Sequence, residues 1–143
     1  MIHTTNLRVR SYECDAYGHV NNANYLHYLE VARGEYLRAV GLDHAALIAQ
    51  GYGIYVAKIN IEYRSPAFPE DDLEILSESV KCRSVSGIMR QTVLRGRQVL
   101  AQADVEWAFV NREGKPTRMP PEFDLARLTA GAESDPNAGR SAP

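Results

Sequence analysis

The amino-acid sequence predicts an α+β domain in which one long helix is wrapped by a single antiparallel sheet of about five strands. Two observations carry this prediction. Between Ala23 and Val40 the apolar residues recur at steps of three and four, which is the spacing of an amphipathic helix. After Gly53 the spacing changes to two, which is typical of strands with one buried face. The predicted order is therefore one strand, one long helix and a run of four strands.

The first half of the chain carries a strand and two helices with recognisable ends. In residues 7 to 11, apolar or small side chains alternate with polar ones. This alternation indicates a short first strand with one solvent-exposed face. Asn21 or Asn22 can cap the first turn of the long helix, and Gly41 can adopt the left-handed conformation that ends it. A shorter second helix is predicted from residue 43 to residue 50.

The second half of the chain is predicted to contain four strands. The first covers residues 53 to 64 and ends before Pro66 and Pro69, because proline cannot continue the ladder of a sheet. Residues 72 to 83 and 87 to 95 form two more strands, joined by a hairpin. The last strand has the clearest alternation, with these residues on one face: Val99, Ala101, Ala103, Val105, Trp107 and Phe109.

Length and composition indicate one globular domain followed by a tail. The chain has 143 residues, of which 45% are hydrophobic and 24% charged, close to the averages for globular proteins. A chain of this length buries roughly two-thirds of its unfolded surface, which is enough for one core. Residues 129 to 143 contain almost no large apolar side chain, so we expect a domain over residues 1 to 128 and a disordered tail.

Charge and cysteine content exclude several classes of partner. The formal net charge is -2, so no global attraction to nucleic acid or to an anionic membrane is expected. Cys14 and Cys82 are too few for a disulfide scaffold and lack metal-ligand spacing, which favours free thiols in a reducing compartment. Neither a leader pattern nor an apolar run of membrane-spanning length is visible. We therefore expect a cytoplasmic protein that needs no metal and no cofactor.

Asp15 is the candidate for chemistry. It lies just before the long helix, and a helix N-terminus presents backbone N–H groups that lack intrahelical partners and favour negative charge. A thioester carbonyl placed against the amide of Asn22 or of a neighbouring residue would be polarised there, while a carboxylate supplied a nucleophile or base. Gly18 would allow the intervening loop to turn back tightly. The spacing alone is weakly specific, because an aspartate before a helix is often only a cap or a turn residue.

The segment from Asp15 to Leu26, Asp-Ala-Tyr-Gly-His-Val-Asn-Asn-Ala-Asn-Tyr-Leu, resembles the signature of the 4-hydroxybenzoyl-CoA thioesterase family of hotdog proteins. The resemblance continues through 30–33, 59–63 and 103–105, and it covers roughly residues 5 to 120. It implies the hotdog fold and hydrolysis of an acyl-CoA to a carboxylic acid and free CoA. It also implies Asp15 as nucleophile or general base, with the backbone N–H of Asn22 as the donor to the carbonyl.

Two positions depart from related patterns. Some relatives carry a histidine where this chain has Asn22, so a mechanism that uses that histidine does not apply. The Gly-His-Val-Asn-Asn sequence also resembles acyl-ACP thioesterases, whose usual asparagine between the aspartate and the histidine is Tyr17 here. His19 can shape the pocket or assist Asp15, although a lone loop histidine is more often structural. Cys14 adjoins Asp15, but a small packed thiol is the simpler interpretation.

Several other residues are candidates for binding substrate. Tyr25 can line the acyl site or can pack in the core, and Gly18 and His19 lie in the same loop. Among the basic residues near the predicted hairpin, Arg83 is the best candidate for the phosphates of CoA. Glu30 could be a second carboxylate, or a solvated salt-bridging residue on the exposed helix face.

One sheet with one helix leaves surface uncovered, so we expect assembly with a second copy. Hotdog relatives pair two such units into a continuous sheet, which implies a homodimer or homotetramer with sites at the subunit interface. Asp15 of one subunit would then meet Lys58 and Ile59 from a strand of the other. Two rival functions stay open: a non-catalytic acyl-CoA-binding hotdog module, and a hotdog hydratase or dehydratase acting on acyl-CoA or acyl-ACP.

Overall fold

A computed structural model describes residues 1–133 of the chain. Within them, five strands form one antiparallel sheet in the order β1-β3-β4-β5-β2. The strands are β1 (Ile2–Arg8), β2 (Gly53–Tyr63), β3 (Asp72–Cys82), β4 (Ser86–Arg95) and β5 (Gln98–Val110). The predicted α+β class and the hotdog arrangement of one sheet around one long helix are confirmed.

The long helix α1 (Asn24–Ala39) lies within the predicted range and ends as predicted. Gly41 has φ +82°, its amide donates to the Arg38 carbonyl, and the Leu42 amide reaches back to the Leu37 carbonyl. This pair of bonds is a Schellman motif, which satisfies carbonyls that the helix leaves unpaired. The short helix α2 (His44–Ala49) follows, capped by the Asp43 side chain on the Ala46 amide.

The start of α1 differs from the predicted cap. The residue at the N-cap position is Ala23, which makes no side-chain capping bond. Asn21 instead accepts a hydrogen bond from the Ala23 amide on its own side chain, 2.9 Å away, and its carbonyl accepts from the Asn24 amide. Asn21 therefore shapes the turn that leads into the helix, whereas the side chain of Asn22 takes no part in it.

The core lies between α1 and one face of the sheet. The buried residues of α1 share one stripe of the helix: Tyr25, Tyr28, Leu29, Ala32 and Tyr36. They pack against alternate residues of β3, β4 and β5, and burial of each large apolar side chain contributes about 1.5–3 kcal/mol. The alternation predicted for the last strand is confirmed, since Ala101, Ala103 and Val105 are all buried.

One polar side chain in this core is fully satisfied. Gln91 on β4 donates to the Leu29 carbonyl at 2.9 Å and to the Ser77 hydroxyl at 3.0 Å. Its oxygen accepts from the Arg33 guanidinium at 3.1 Å. A buried amide costs free energy unless its donors and acceptor are paired. These bonds therefore fix the position of α1 along the sheet as well as its distance from it.

Both outer strands of the sheet have a free edge within residues 1–133. The β2 edge is the more apolar, because Tyr55, Val56 and Tyr63 are all exposed on it. An exposed apolar edge is a template for pairing with another strand, and monomeric proteins rarely leave one uncovered. None of the helices in this part of the chain is long and apolar enough to cross a membrane.

The C-terminal part corrects one expectation. A third helix, α3, runs over Leu125–Glu133, so residues 129 to 133, expected to be disordered, are helical. Its first residue, Leu125, lies within the predicted domain and is buried together with Phe123 against the core, which anchors the start of the helix. The remainder of the predicted tail, 134 to 143, lies outside the described residues.

A charged hydrogen bond joins the β2–β3 connection to β4. The Arg95 guanidinium donates to the Asp71 carboxylate at 2.6 Å and to the Pro66 carbonyl at 3.2 Å, and the Phe68 amide also donates to Asp71. Partial burial alone would raise the pKa of Asp71, but the bonds from Phe68 and Arg95 outweigh it and lower the pKa. The segment that includes Pro66 is thereby held in place.

We predict that Asp71→Asn destabilises the protein at neutral pH by about 1–3 kcal/mol, because Arg95 loses its charged acceptor. The folded pKa of Asp71 is lowered, so its contribution is complete above the unfolded pKa of about 3.9 and is lost as pH falls through the folded value.

Melting temperatures of both proteins between pH 7 and pH 3 test this prediction, since the difference should shrink toward the acid end. Asp72→Asn is the matched control, because its partner Arg8 is half exposed and such a pair contributes little. A difference that stays constant with pH would contradict the prediction.

Candidate functional site

Asp15 lies in a tight loop that returns the chain to the start of α1. An isolated β-bridge between Cys14 and Val20 closes the loop. Inside it, the Asp15 amide donates a hydrogen bond to the His19 carbonyl, and the Gly18 amide donates one to the Asp15 carbonyl. Gly18 has φ +81°, a backbone conformation that costs an L-residue roughly 1–2 kcal/mol. The predicted role of Gly18 as the turning residue of this loop agrees with its geometry.

One oxygen of the Asp15 carboxylate accepts a hydrogen bond from the loop, and the other lies near His19 without a hydrogen bond. Its Oδ1 accepts from the Tyr17 amide at 2.9 Å, while its Oδ2 lies 3.7 Å from Nδ1 of His19. That second distance is too long for a hydrogen bond and allows an ion pair when His19 is protonated. With a side chain 23% exposed, the carboxylate is accessible to a ligand yet sheltered from bulk water.

Glu13 fastens this loop to the helix. Its carbonyl accepts from the Asn21 amide and from the Asn24 side chain, and its carboxylate accepts from the Tyr28 hydroxyl at 3.0 Å. Burial, followed by this contact with Glu13, raises the pKa of Tyr28, which keeps its hydroxyl protonated and able to donate. The loop that carries Asp15 is therefore anchored to α1 on the side away from the carboxylate.

The backbone N–H of Asn22 is free to meet a ligand. The neighbouring amides of Asn21, Ala23 and Asn24 all have acceptors, but within residues 1–133 the Asn22 amide has none. Its carbonyl, by contrast, accepts from the Tyr63 hydroxyl at 3.0 Å. An unpaired donor at the positive end of a helix dipole is suited to hold a carbonyl oxygen that becomes negatively charged.

Asp15 and Asn22 line the same cleft, which has a volume of about 440 Å³. His19 and Tyr25 also line it, in agreement with their selection from the sequence. Tyr25 is buried, and its hydroxyl accepts from the Ala67 amide, so it serves both as core and as the floor of the cleft. Burial raises the pKa of Tyr25, and the hydroxyl therefore stays neutral.

Two lining residues, Tyr63 and Arg64, were missed by sequence reasoning. They come from the end of β2, far from Asp15 in the chain, and Tyr63 packs edge-on against Tyr25 with ring centroids 5.4 Å apart. The sequence around Pro66 marks the end of β2 but does not show that this end lies beside the start of α1, so no local signal identified them. Arg64, half exposed, places a guanidinium at this cleft, and one of its nitrogens lies 3.5 Å from the Glu62 carboxylate.

Four predicted substrate-binding residues are not among those that line the cleft of their own chain: Gly18, which lies in the loop beside it, and three residues from elsewhere in the fold. Lys58 and Ile59 lie in the middle of β2, next to an irregularity in its pairing with β5, and Lys58 is exposed at the sheet edge. Arg83 lies in the β3–β4 hairpin, where its amide donates to the Ser86 carbonyl at 2.7 Å. The Asp15 cleft is lined by none of these three side chains.

Cys14 is a packed thiol beside the site. It contacts the core cluster under α1, and its pKa is raised by burial and by the neighbouring Asp15 and Glu13 carboxylates. Because the thiolate is the reactive form, these neighbours suppress nucleophilic attack by Cys14. Asp15 is therefore the better candidate within this loop.

A second cavity, of about 350 Å³, lies under the other half of α1 and was not anticipated from the sequence. Its apolar lining comes from every layer of the domain: Tyr36, Leu37, Ile54, Val56, Met89, Trp107 and Leu125. Glu30, one of the open alternatives for a second carboxylate, lines this cavity and is exposed. It is not among the residues that line the Asp15 cleft.

Gly34 lies in α1 at this second cavity. Glycine in the interior of a helix is destabilising by roughly 0.5–1 kcal/mol relative to alanine. A side chain at Gly34 would meet nothing within 4 Å, so the packing of this chain does not require a glycine. Because Gly34 has no side chain, the cavity is open at this point of α1.

The single antiparallel sheet around α1 defines a protein of the hotdog class. Residues 9–126 match the family model described as the thioesterase-like superfamily. The chain belongs to that family, and the resemblance identified from the Asp15 motif is confirmed.

The relatives extend over most of the chain. It is 36% identical over 110 residues to the long-chain acyl-CoA thioesterase FadM of Escherichia coli K12, covering 74% of this chain and 80% of FadM. It is 31% identical to the acyl-CoA thioesterase YbgC of Haemophilus influenzae, covering 84% and 90%. The crystal structure of a probable thioesterase from Bartonella henselae aligns with a TM-score of 0.80 and 31% identity, over 84% of this chain and all of that one.

We predict that Gly18→Ala loosens the Asp15 loop, because alanine resists the positive φ of this position and destabilises the fold by about 1–2 kcal/mol. Hydrogen exchange of the Asp15 amide, which bonds to His19, should accelerate. Gly114→Ala is a matched control, since Gly114 has φ +75° in a distant turn and equally open surroundings. It should lower the melting temperature similarly while leaving the Asp15 amide protected, and equal exchange in both variants would refute the prediction.

Proposed function

We propose that this protein is an acyl-CoA thioesterase in which Asp15 is the catalytic carboxylate. The observation that carries the proposal is the shared cleft, in which the Asp15 carboxylate and the unpaired amide of Asn22 both face one ligand volume. The activity named for FadM and YbgC supports acyl-CoA as the substrate.

The thioester carbonyl binds with its oxygen at the Asn22 amide, where the helix dipole adds to the positive potential. Asp15 then acts in one of two ways: it removes a proton from a water that attacks the carbonyl carbon, or it attacks that carbon itself. In either case a new C–O bond replaces the C–S bond. The electron pair leaves on the CoA sulfur, which takes up a proton. Attack by water gives the carboxylic acid directly, whereas attack by Asp15 gives a mixed anhydride that water then cleaves to release the acid and regenerate the carboxylate.

The remaining cleft residues bind and orient the substrate. His19 and Tyr25 line the path of the acyl group. Gly18, beside the cleft, keeps the loop compact and leaves open space where a side chain would project. The stacked rings of Tyr17 and His19, 6.0 Å apart, add an aromatic surface at the mouth of the cleft.

The CoA phosphates need a local positive charge, because the chain is acidic overall. Arg64 at the cleft is the first candidate, since it lines the same volume as Asp15. Arg83, selected from the sequence, stays a proposal that depends on assembly, because in its own chain it lies in the β3–β4 hairpin.

The functional unit that we propose is a homodimer or a homotetramer in which β2 pairs with β2 of a second copy. The exposed apolar edge formed by Tyr55, Val56 and Tyr63 supports this pairing. It would carry Lys58 and Ile59 of one subunit toward the Asp15 cleft of the other. We infer a cytoplasmic location, supported by the two free cysteines, Cys14 and Cys82.

We predict that Asp15→Asn lowers kcat for acyl-CoA hydrolysis by about 10²–10⁴-fold, because the amide can neither accept the proton nor attack the carbonyl. The Kd for a non-hydrolysable acyl-CoA should change little. Thiol release over a panel of aliphatic and aromatic acyl-CoAs measures the rate, and calorimetry measures the binding.

Asp15→Ala distinguishes catalysis from loop structure. If Asp15 only shapes the loop, this variant loses about 0.5–2 kcal/mol of stability and keeps its turnover. Near-normal turnover in a folded Asp15→Ala protein would end the proposed mechanism. Tight binding without release in the wild-type protein would favour the acyl-CoA-binding module instead.

We predict that the 16.0 kDa chain forms at least a dimer at micromolar concentration. Light scattering measures its mass in solution. Val56→Asp places a charge on the exposed β2 edge and should shift the protein toward a monomer with lower activity. Val80→Asp adds the same charge at an exposed position of β3, an inner strand, and should leave the β2 pairing intact. A monomeric wild-type protein would exclude the proposed assembly.

A further inference from the structure

We propose that the second cavity receives the tail of an unbranched aliphatic acyl chain whose thioester group lies at Asp15 of a second copy, with Gly34 as the mouth of the cavity. This inference rests on the proposed thioesterase function and names the class of acyl group. Four features support it: the volume of the cavity, its apolar lining, its position relative to β2, and the glycine at position 34.

The lining of the cavity extends across several strands of the sheet. Its floor crosses four adjacent strands, with Ser79 on β3, Met89 on β4, Trp107 on β5 and Ile54 on β2. At about 4.8 Å between neighbouring strands, this floor extends roughly 14 Å. An apolar cavity of about 150 Å³ holds a benzene ring, whereas this one has about 350 Å³. Its dimensions therefore fit an extended chain better than a single aromatic ring.

The walls of the cavity are rigid and mainly apolar. Trp107 packs flat against Gly87, where an added Cβ would lie 2.4 Å from the ring, so the indole is fixed in place. Leu125 of α3 covers the cavity from the opposite side. Arg33, the cation in the lining, is held by Gln91. An apolar chain enters such a preformed site with little reorganisation of the protein.

The geometry of β2 connects this cavity to the Asp15 cleft of a second copy. Ile54 near the start of β2 lines the cavity, and Tyr63 at its end lines the cleft, so about 30 Å of strand separates them in one chain. When two β2 edges pair antiparallel about a two-fold axis, the start of one lies beside the end of the other. The cavity of one subunit then lies at the same end of the strand pair as the other subunit's cleft.

Gly34 controls the size of the opening. It lines the cavity from α1, and a side chain there would project into open space rather than into protein. Gly34→Leu should therefore narrow the mouth without disturbing the core. Gly34→Ala adds a smaller group and should leave the mouth open, while raising the melting temperature through its better helix propensity.

The first experiment compares kcat/KM for butyryl-CoA and dodecanoyl-CoA. Gly34→Leu should lower the value for dodecanoyl-CoA by about tenfold or more and leave butyryl-CoA nearly unchanged, because only the long chain reaches the cavity. Leu125→Phe, which fills the cavity from α3, should give the same selective loss. Arg38→Leu is the control, since Arg38 is exposed on α1 one turn beyond Gly34. An unchanged ratio in both cavity variants overturns the inference and leaves the thioesterase function standing.

The second experiment uses Trp107, the single tryptophan of the sequence, as a reporter inside the cavity. Dodecanoic acid brominated at its methyl end should quench the fluorescence of Trp107, and brominated butyric acid should not. Gly34→Leu should abolish the quenching. This measurement does not require turnover, so it separates failure of the cavity assignment from failure of the proposed function, which would show as no hydrolysis of any acyl-CoA.

The third experiment tests whether the cavity acts across the subunit interface. Asp15→Asn chains lack the carboxylate, and Gly34→Leu chains lack the open cavity, so neither homodimer should hydrolyse dodecanoyl-CoA well. Co-assembled chains should recover about one quarter of the wild-type rate, because half of random dimers are mixed and each holds one competent site. No recovery means that cavity and carboxylate belong to the same chain, and it overturns the proposal.

Discussion

A single sheet with one long helix can bury only one face, and the rest of this structure depends on that constraint. The apolar stripe of α1 covers the inner face of β3, β4 and β5, while the Gln91 bonds to Leu29 and Ser77 fix where the helix lies. The β2 edge and the ends of α1 stay uncovered. The candidate catalytic loop is at one of those ends, and the apolar cavity lies toward the other.

The chemistry at the loop follows from how the helix starts. A helix N-terminus always leaves several amides unpaired, and here the turn made by Asn21 satisfies the neighbours but not the amide of Asn22. Gly18 lets the preceding residues fold back so that Asp15 faces the same volume. The candidate carboxylate and the candidate donor therefore come from one short segment of the chain.

Local patterns predicted the parts of the structure that local physics determines. The alternation along β5 identified its buried face, and Gly41 identified the end of α1, because each depends on only a few neighbouring residues. The Asp15 loop could be found by its motif. Tyr63 and Arg64 could not, since they reach the cleft only through the pairing of β2 with β5.

Contacts between residues distant in sequence also explain the other features that the sequence did not predict. The second cavity joins α1 to residues of four strands and of α3, and no window of sequence contains that arrangement. The second half of α3 was assigned to the tail because Thr129 to Glu133 are small or polar, whereas the burial of Leu125 and Phe123 anchors the start of the helix. Lys58 and Ile59 were expected at the site of a second copy, which a single chain cannot display.

The strand order has a consequence for how this chain is made. β1 is synthesised first, yet its partner is β3, and Ile2 must find Glu78 across the whole of α1, α2 and β2. β2 likewise has no partner in the chain until β5, the last of the five strands, has been synthesised. Only the β3–β4–β5 meander can form from close neighbours, and contacts distant in sequence slow folding. The two outer strands thus have no partner in the chain until the middle of the sheet has been synthesised, and unpaired strands of this kind are exposed to aggregation while the chain grows.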